Sequence, residues 1–233
     1  MGGKPSKEPT GINGVWSEFC TFEDENERPT KDPIHDAVSL RIDLYYLSTR
    51  VPTKSLRDMG SVISRCKKLK SIRMIGHLFV RSNVIEDVLV SLFQANGSYY
   101  FPLEHFSICK YALNARGFEA IIPFLTSRGE LDCLYLENCE IGDDVAGAIG
   151  VVLDQTCIDN IDLNGNQISA RGLSNLFSGK NSIKLRSLNL QENSIGKAEV
   201  DEIARFLSKE GVALQWIAIG KIRLIFGDYF DPD

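Results

Sequence analysis

The sequence predicts an α/β chain built from a tandem strand-plus-helix unit, and three stretches carry that prediction. They begin at Leu131, Ile158 and Leu185. The third runs Leu185, Leu188, Leu190, Asn193, Ile195; the second Ile158, Ile161, Leu163, Asn166, Ile168; the first Leu131, Leu134, Leu136, Cys139, Ile141. Apolar residues fall at the same four offsets in each, a ninth position holds Asn or Cys, and successive copies start 27 residues apart. Self-similarity at a fixed period marks a repeat architecture.

With that register fixed, weaker copies emerge. Upstream lie Leu103, Phe106, Ile108, Tyr111, Leu113, then Leu69, Ile72, Met74, His77, Phe79, then Ala37, Leu40, Ile42, Tyr45, Leu47. Downstream, Leu214, Ile217 and Ile219 open a seventh unit. The steps between units are 32, 34, 28, 27, 27 and 29 residues, and the step of 34 predicts an insertion over 96–102, where Gly97 and Pro102 mark a loop. The first half of each unit alternates as a strand does. The second half has helical spacing, as in Val200, Ile203, Ala204 and Leu207, or Phe118, Ile121, Ile122 and Leu125. Gly117 and Gly172 fall at the loop-to-helix entry of their units, where a small residue lets backbones approach.

Over roughly residues 37–220 the pattern resembles the ribonuclease-inhibitor-like subfamily of leucine-rich repeats. The resemblance implies an α/β solenoid of horseshoe shape, with a parallel sheet on the concave face, helices on the convex face and about six to seven repeats. It also implies that the polar slot (Tyr45, His77, Tyr111, Cys139, Asn166 and Asn193) bonds turn backbone after each strand. Tyrosine cannot do so with asparagine's geometry, so an irregular N-terminal half is expected. His77 reads as a packing residue of this ladder rather than a ligand. Residues 1–33 are expected as a flexible arm with a capping piece near Trp16, Phe19 and Phe22. Residues 34–220 form the repeat domain, and residues 221–233 a capping strand and tail.

A net charge of −5 excludes the surplus of Lys and Arg that phosphate neutralisation requires, so no nucleic-acid partner is expected. The longest apolar runs fall short of the roughly 18–20 residues that span a bilayer. The first thirty residues lack a hydrophobic signal core, so a cytoplasmic protein is expected. Six cysteines without CxxC or zinc spacing predict free thiols, no metal and no cofactor. Phosphate-binding, hydrolase and metalloprotease motifs are absent, and six residues separate Cys109 from Arg116, one too many for a phosphatase-type loop. Cys109, Cys133 and His105 share a face but lack an orienting group. The chain is therefore read as no enzyme.

Alternation leaves Arg41, Arg73, His105, Tyr135, Glu137, Asp162, Asn164, Asn189, Gln191 and Trp216 on the outer side of the strands. The expected function is a monomeric scaffold or adaptor binding another protein there, with acidic Glu137 and Asp162 at the centre. The alternative, implied by the same repeat type, is a GTPase-activating protein of the Ran-regulator kind using Arg116 or Arg171. The opening Met1-Gly2-Gly3-Lys4-Pro5-Ser6-Lys7 fits an N-myristoylation pattern at Gly2, which predicts weak membrane association. Cys20 is a candidate second acylation point.

Overall fold

Each predicted alternating stretch becomes a strand. β2 (Ser39–Asp43), β3 (Ser71–Ile75), β4 (His105–Cys109), β5 (Glu130–Glu137), β6 (Cys157–Asp162), β7 (Ser187–Leu190) and β8 (Trp216–Ile219) pair in parallel, each with the next in sequence. The computed structural model describes residues 20–30, 36–45, 53–77, 89–90, 92–93, 102–127, 129–220 and 222–225. Register follows the sequence repeat: Leu40, Ile72, Phe106, Leu134, Ile161, Leu188 and Ile217 form one buried row across seven strands. A one-residue slip would turn every such row to water, so burial pins the pairing.

Two further strands complete a nine-stranded sheet in sequence order. β1 (Cys20–Glu23) runs antiparallel to β2 and buries Phe22. β9 (Ile222–Ile225) folds back antiparallel on β8 through a turn in which Gly220 has φ +57°.

Parallel strands need long crossovers, and helices supply them: α1 (Thr53–Ile63), α2 (Ala115–Leu125), α3 (Asp143–Gln155), α4 (Ala170–Leu176) and α5 (Lys197–Leu207). Asn114 caps α2 by accepting from Gly117 N at 2.9 Å. The C-terminal units also cap one another. Asp143 accepts from the Ser169 amide (3.0 Å) and hydroxyl (2.8 Å), and Glu199 from the Ala170 amide at 2.9 Å. Burial pushes the Asp143 carboxyl up, but these Ser169 bonds and the Arg171 guanidinium outweigh it and hold the group below its usual range.

The horseshoe expectation is corrected. The sheet is open and neither curled nor closed, so there is an α/β alternation of strands and helices but no concave inner face. Curl requires a helical layer spaced more widely than the strands, which lie about 4.8 Å apart against about 8–10 Å for packed helices. Glycines act against that excess. Gly150 of α3 lies against the backbone carbonyl of Asn175 in α4, and a Cβ at Gly172 would sit 2.5 Å from the Asp143 carboxylate. Gly117 has no such constraint, since a Cβ there would first meet Leu113 at 3.4 Å.

Details of the helical reading also change. In α5 the buried residues are Ile203 and Phe206, while Val200 is exposed. In α2 Phe124 joins the core beside Phe118, Ile121 and Leu125. His77 is exposed rather than packed inside, with its ring edge-on to exposed Tyr45 at 5.3 Å. Trp16, Phe19 and residues 96–101 lie outside the described residues.

Candidate binding face on the open sheet

One side of the sheet carries the apolar rows and the helices; the other carries ordered rows of mostly polar residues, within which Cys133, Ser187 and Ala218 are buried. The first such row is Ser39, Ser71, His105, Cys133, Asn160, Ser187 and Trp216. The second is Arg41, Arg73, Ser107, Tyr135, Asp162, Asn189 and Ala218.

The second row places Tyr135 beside Asp162, and Asp162 beside Asn189. The Asp162 carboxylate accepts from the Asn164 amide at 2.8 Å and from Asn189 Nδ2 at 2.9 Å. Asn189 Oδ1 in turn accepts from the Gln191 amide at 3.1 Å. Despite these donors, burial dominates and raises the Asp162 carboxyl above the usual range. Glu137, two residues beyond Tyr135, is raised by burial and then by the Asp162 charge, against weaker pulls from Arg73 and Lys110. Asn164 adds a buried side-chain oxygen without a hydrogen-bond partner among the described residues. Next to Glu137 in its row come half-buried Cys109 and exposed Ile75. Acceptors in excess of donors thus border a small apolar shelf.

A second cluster sits where β4 and β5 begin. Glu104, His105 and Asp132 each offer a ligand atom, all within 4.8 Å of one another. The sequence reading assigned no metal ligand here. The signal becomes visible only with the register: Cys133 pairs with His105, so its predecessor Asp132 comes alongside Glu104.

The remaining predicted residues do not join the central group. Arg41 and Arg73 are register partners on β2 and β3, and Arg41 pairs with Glu23 at 3.6 Å. Trp216 stands half-buried on β8 toward the other end. Arg116 and Arg171 are the second residues of α2 and α4, not loop residues, and Arg171 is held by Asp143 (3.7 Å) and Asp144 (3.5 Å). The GTPase-activating reading is implied by the repeat type alone, and it is overturned with that assignment. Cys20 is buried with its thiol on the Met59 sulfur at 3.2 Å, which removes it as an acylation point. Gly2 lies outside the described residues. All six cysteines are free; burial raises the thiols of Cys20, Cys139, Cys109 and Cys133.

No family model matches the chain, and no curated protein matches its sequence. The leucine-rich-repeat assignment is therefore withdrawn, and what stands is an α/β fold with an open, mostly parallel sheet. The concave-face protein partner, and the scaffold function that depended on it, fall with the missing concavity. No helix among the described residues is long and apolar enough to cross a membrane.

Proposed function

We propose that this chain is a non-catalytic binding module whose flat sheet face takes a small organic cation carried on an apolar stem. The carrying observation is the excess of acceptors at one place: Glu137 and Asp162, both raised by burial, beside the unpartnered buried oxygen of Asn164. A primary ammonium offers three donors and a positive charge, which would relieve the mutual repulsion and the desolvation together. Tyr135 beside Asp162 offers a ring face for cation contact, and the Ile75–Cys109 shelf suits a short methylene stem. The remaining site residues, Asn189 and Gln191, serve by orienting Asp162. The non-catalytic part of the reading is supported by the lack of a nucleophile–base pair. Among the described residues His105 forms no hydrogen bond with Cys109 or Cys133, and such chemistry needs that contact.

Titration with 1,5-diaminopentane by calorimetry and heteronuclear NMR tests this, with 1-pentanol as the uncharged control. The diamine should bind and shift the amides of Tyr135, Glu137 and Asn164, while pentanol should not. Glu137→Gln should weaken binding about tenfold, or about 1.4 kcal/mol. Affinity should rise with pH through the raised carboxyl pKa values, because the protonated acids present no charge. Equal binding by Glu137→Gln, or equal binding of pentanol, would overturn the reading.

A further inference from the structure

We propose a divalent transition-metal site at Glu104, His105 and Asp132, separate from the cation site above and independent of it. The three residues lie at the leading ends of two adjacent parallel strands, and their ligand atoms already stand within 4.8 Å of one another. Little backbone movement is needed to close that spacing onto one ion, whose bonds to nitrogen and oxygen run about 2.0–2.2 Å.

The backbone beneath the ligands is held fast. The Glu104 carbonyl accepts from the amides of Asp132 (2.9 Å) and Cys133 (3.0 Å), and the Asp132 carbonyl accepts from Asn160 Nδ2 at 3.0 Å. His105 opens β4, Glu104 immediately precedes it and Asp132 is the third residue of β5, so the ladder fixes the backbone of all three.

Charge along this edge carries the second argument. Lys70 neutralises Glu104 through Oε1 at 2.8 Å, and Arg186 neutralises Asp159 at 3.5 Å. Asp132 stands between those pairs and has no ion pair or hydrogen bond to its carboxylate among the described residues. The His105 imidazole likewise has no hydrogen bond there. The edge is one positive charge short at the place where an imidazole nitrogen and two carboxylates converge. Glu104 can keep Lys70 on Oε1 and offer Oε2.

The donor set selects the ion. One imidazole with two carboxylates suits Zn²⁺, Co²⁺, Ni²⁺ or Cu²⁺, whereas Ca²⁺ and Mg²⁺ prefer all-oxygen shells. Three protein ligands leave the other coordination positions to solvent, in the geometry of an open site. Because His105 and Asp132 are exposed, water competes for the coordination positions and the affinity falls below that of an enclosed structural site.

Calorimetric titration of the full chain, under reducing conditions, with Zn²⁺, Ni²⁺ and Mg²⁺ decides the matter. One Zn²⁺ or Ni²⁺ should bind with no comparable Mg²⁺ signal, and Cu²⁺, added after the reductant is removed and with the cysteines blocked by alkylation, should show nitrogen hyperfine coupling by electron paramagnetic resonance. His105→Ala and Asp132→Asn should each lower Zn²⁺ affinity at least tenfold, and His105→Ala should erase the nitrogen coupling. Cys133→Ser and Cys109→Ser should leave binding unchanged. Thermal melts of the metal-free variants check that they fold, since both positions are exposed. No Zn²⁺ binding below millimolar, unchanged affinity in the His105 or Asp132 variants, or loss of binding in a cysteine variant would each overturn the site.

Discussion

At the scale of single residues, the polar slot of the repeat separates a structural amide from its neighbours. Asn166 is buried, accepts from the amides of Cys139 and Ile141 (both 3.0 Å), and donates to the carbonyls of Leu136 and Leu163 (both 2.8 Å). One side chain therefore ties its own turn to the turn of the preceding unit. Asn193 repeats the arrangement, with 3.2 Å to the Ile168 amide and 2.8 Å to the Leu163 carbonyl, but it is only half-buried. Removing Asn166 strands backbone groups where water cannot follow, at about 1–3 kcal/mol for each unsatisfied group. Asn166→Ala should therefore lose about 3 kcal/mol or more in urea unfolding, and Asn193→Ala distinctly less, because solvent can replace part of what is lost. Equal losses would mean that the deeper burial of Asn166 does not set its contribution. The role of Asn166 was legible in the sequence because aligned copies isolate one polar position among apolar ones. Tyr111 fills the same slot and is buried as well, yet it has no amide to bridge turns. Glu104 and Asp132 were not legible. Their meeting depends on strand register, which offsets Asp132 by one residue from the partner of His105, and no local pattern encodes that offset.

Among the elements, the strands follow the two-residue alternation closely, and the helices are where sequence and structure part. A strand needs only to know which face is apolar. A helix of eleven residues such as α5 can turn either of two overlapping stripes inward, and the bulk of Phe206 wins over Val200. Phe206 stacks on Phe177 at 4.1 Å, a contact between units that hydrophobic spacing within one helix cannot reveal. Spacing between helices is set at a similar depth, by glycines whose environment decides their effect. Gly147 and Gly150 both lie in α3 and face α4. A Cβ at Gly147 would meet Asn175 Nδ2 at 3.6 Å, which is ordinary contact, whereas one at Gly150 would collide with the Asn175 backbone carbonyl. Alanine favours a helix over glycine by about 1 kcal/mol, while overpacking costs about 1–3 kcal/mol. Gly147→Ala should therefore stabilise the protein by about 0.5–1 kcal/mol, and Gly150→Ala should destabilise it by about 1–2 kcal/mol. Thermal melts of the two variants side by side check both signs. A stabilising Gly150→Ala would show that α3 and α4 have room to separate, and with it that the flatness of the sheet is not set by this contact.

For the whole molecule, the governing fact is that every strand hydrogen-bonds only to its neighbours in sequence, from β1 to β9. Among the described residues no strand crosses over to a distant partner, so the ladder there holds no contact between the two ends of the sheet. Both ends are closed in the same way, by a strand running against the parallel direction: β1 on β2 and β9 on β8. An unpaired parallel edge would present open amides and carbonyls to other chains, and these terminal strands move that exposure one strand outward. Phe22 is the side chain that fixes β1: it lies 1% exposed, in register with Leu40, inside the same core. Truncating a buried phenylalanine removes about 3–5 kcal/mol of packing. In a sheet of long-range crossovers that loss would weaken every strand alike. Here neighbour-only pairing should confine it, because local opening draws on the contacts of the units that open and leaves distant ones intact. Phe22→Ala should therefore lower hydrogen-exchange protection at the amides of Leu40 and Ile42, while the amides of Ile161 and Leu188, five and six strands from β1, keep most of theirs. A uniform fall across all of these amides would show that the sheet unfolds as one unit and that the end strand supports the centre as much as its neighbour.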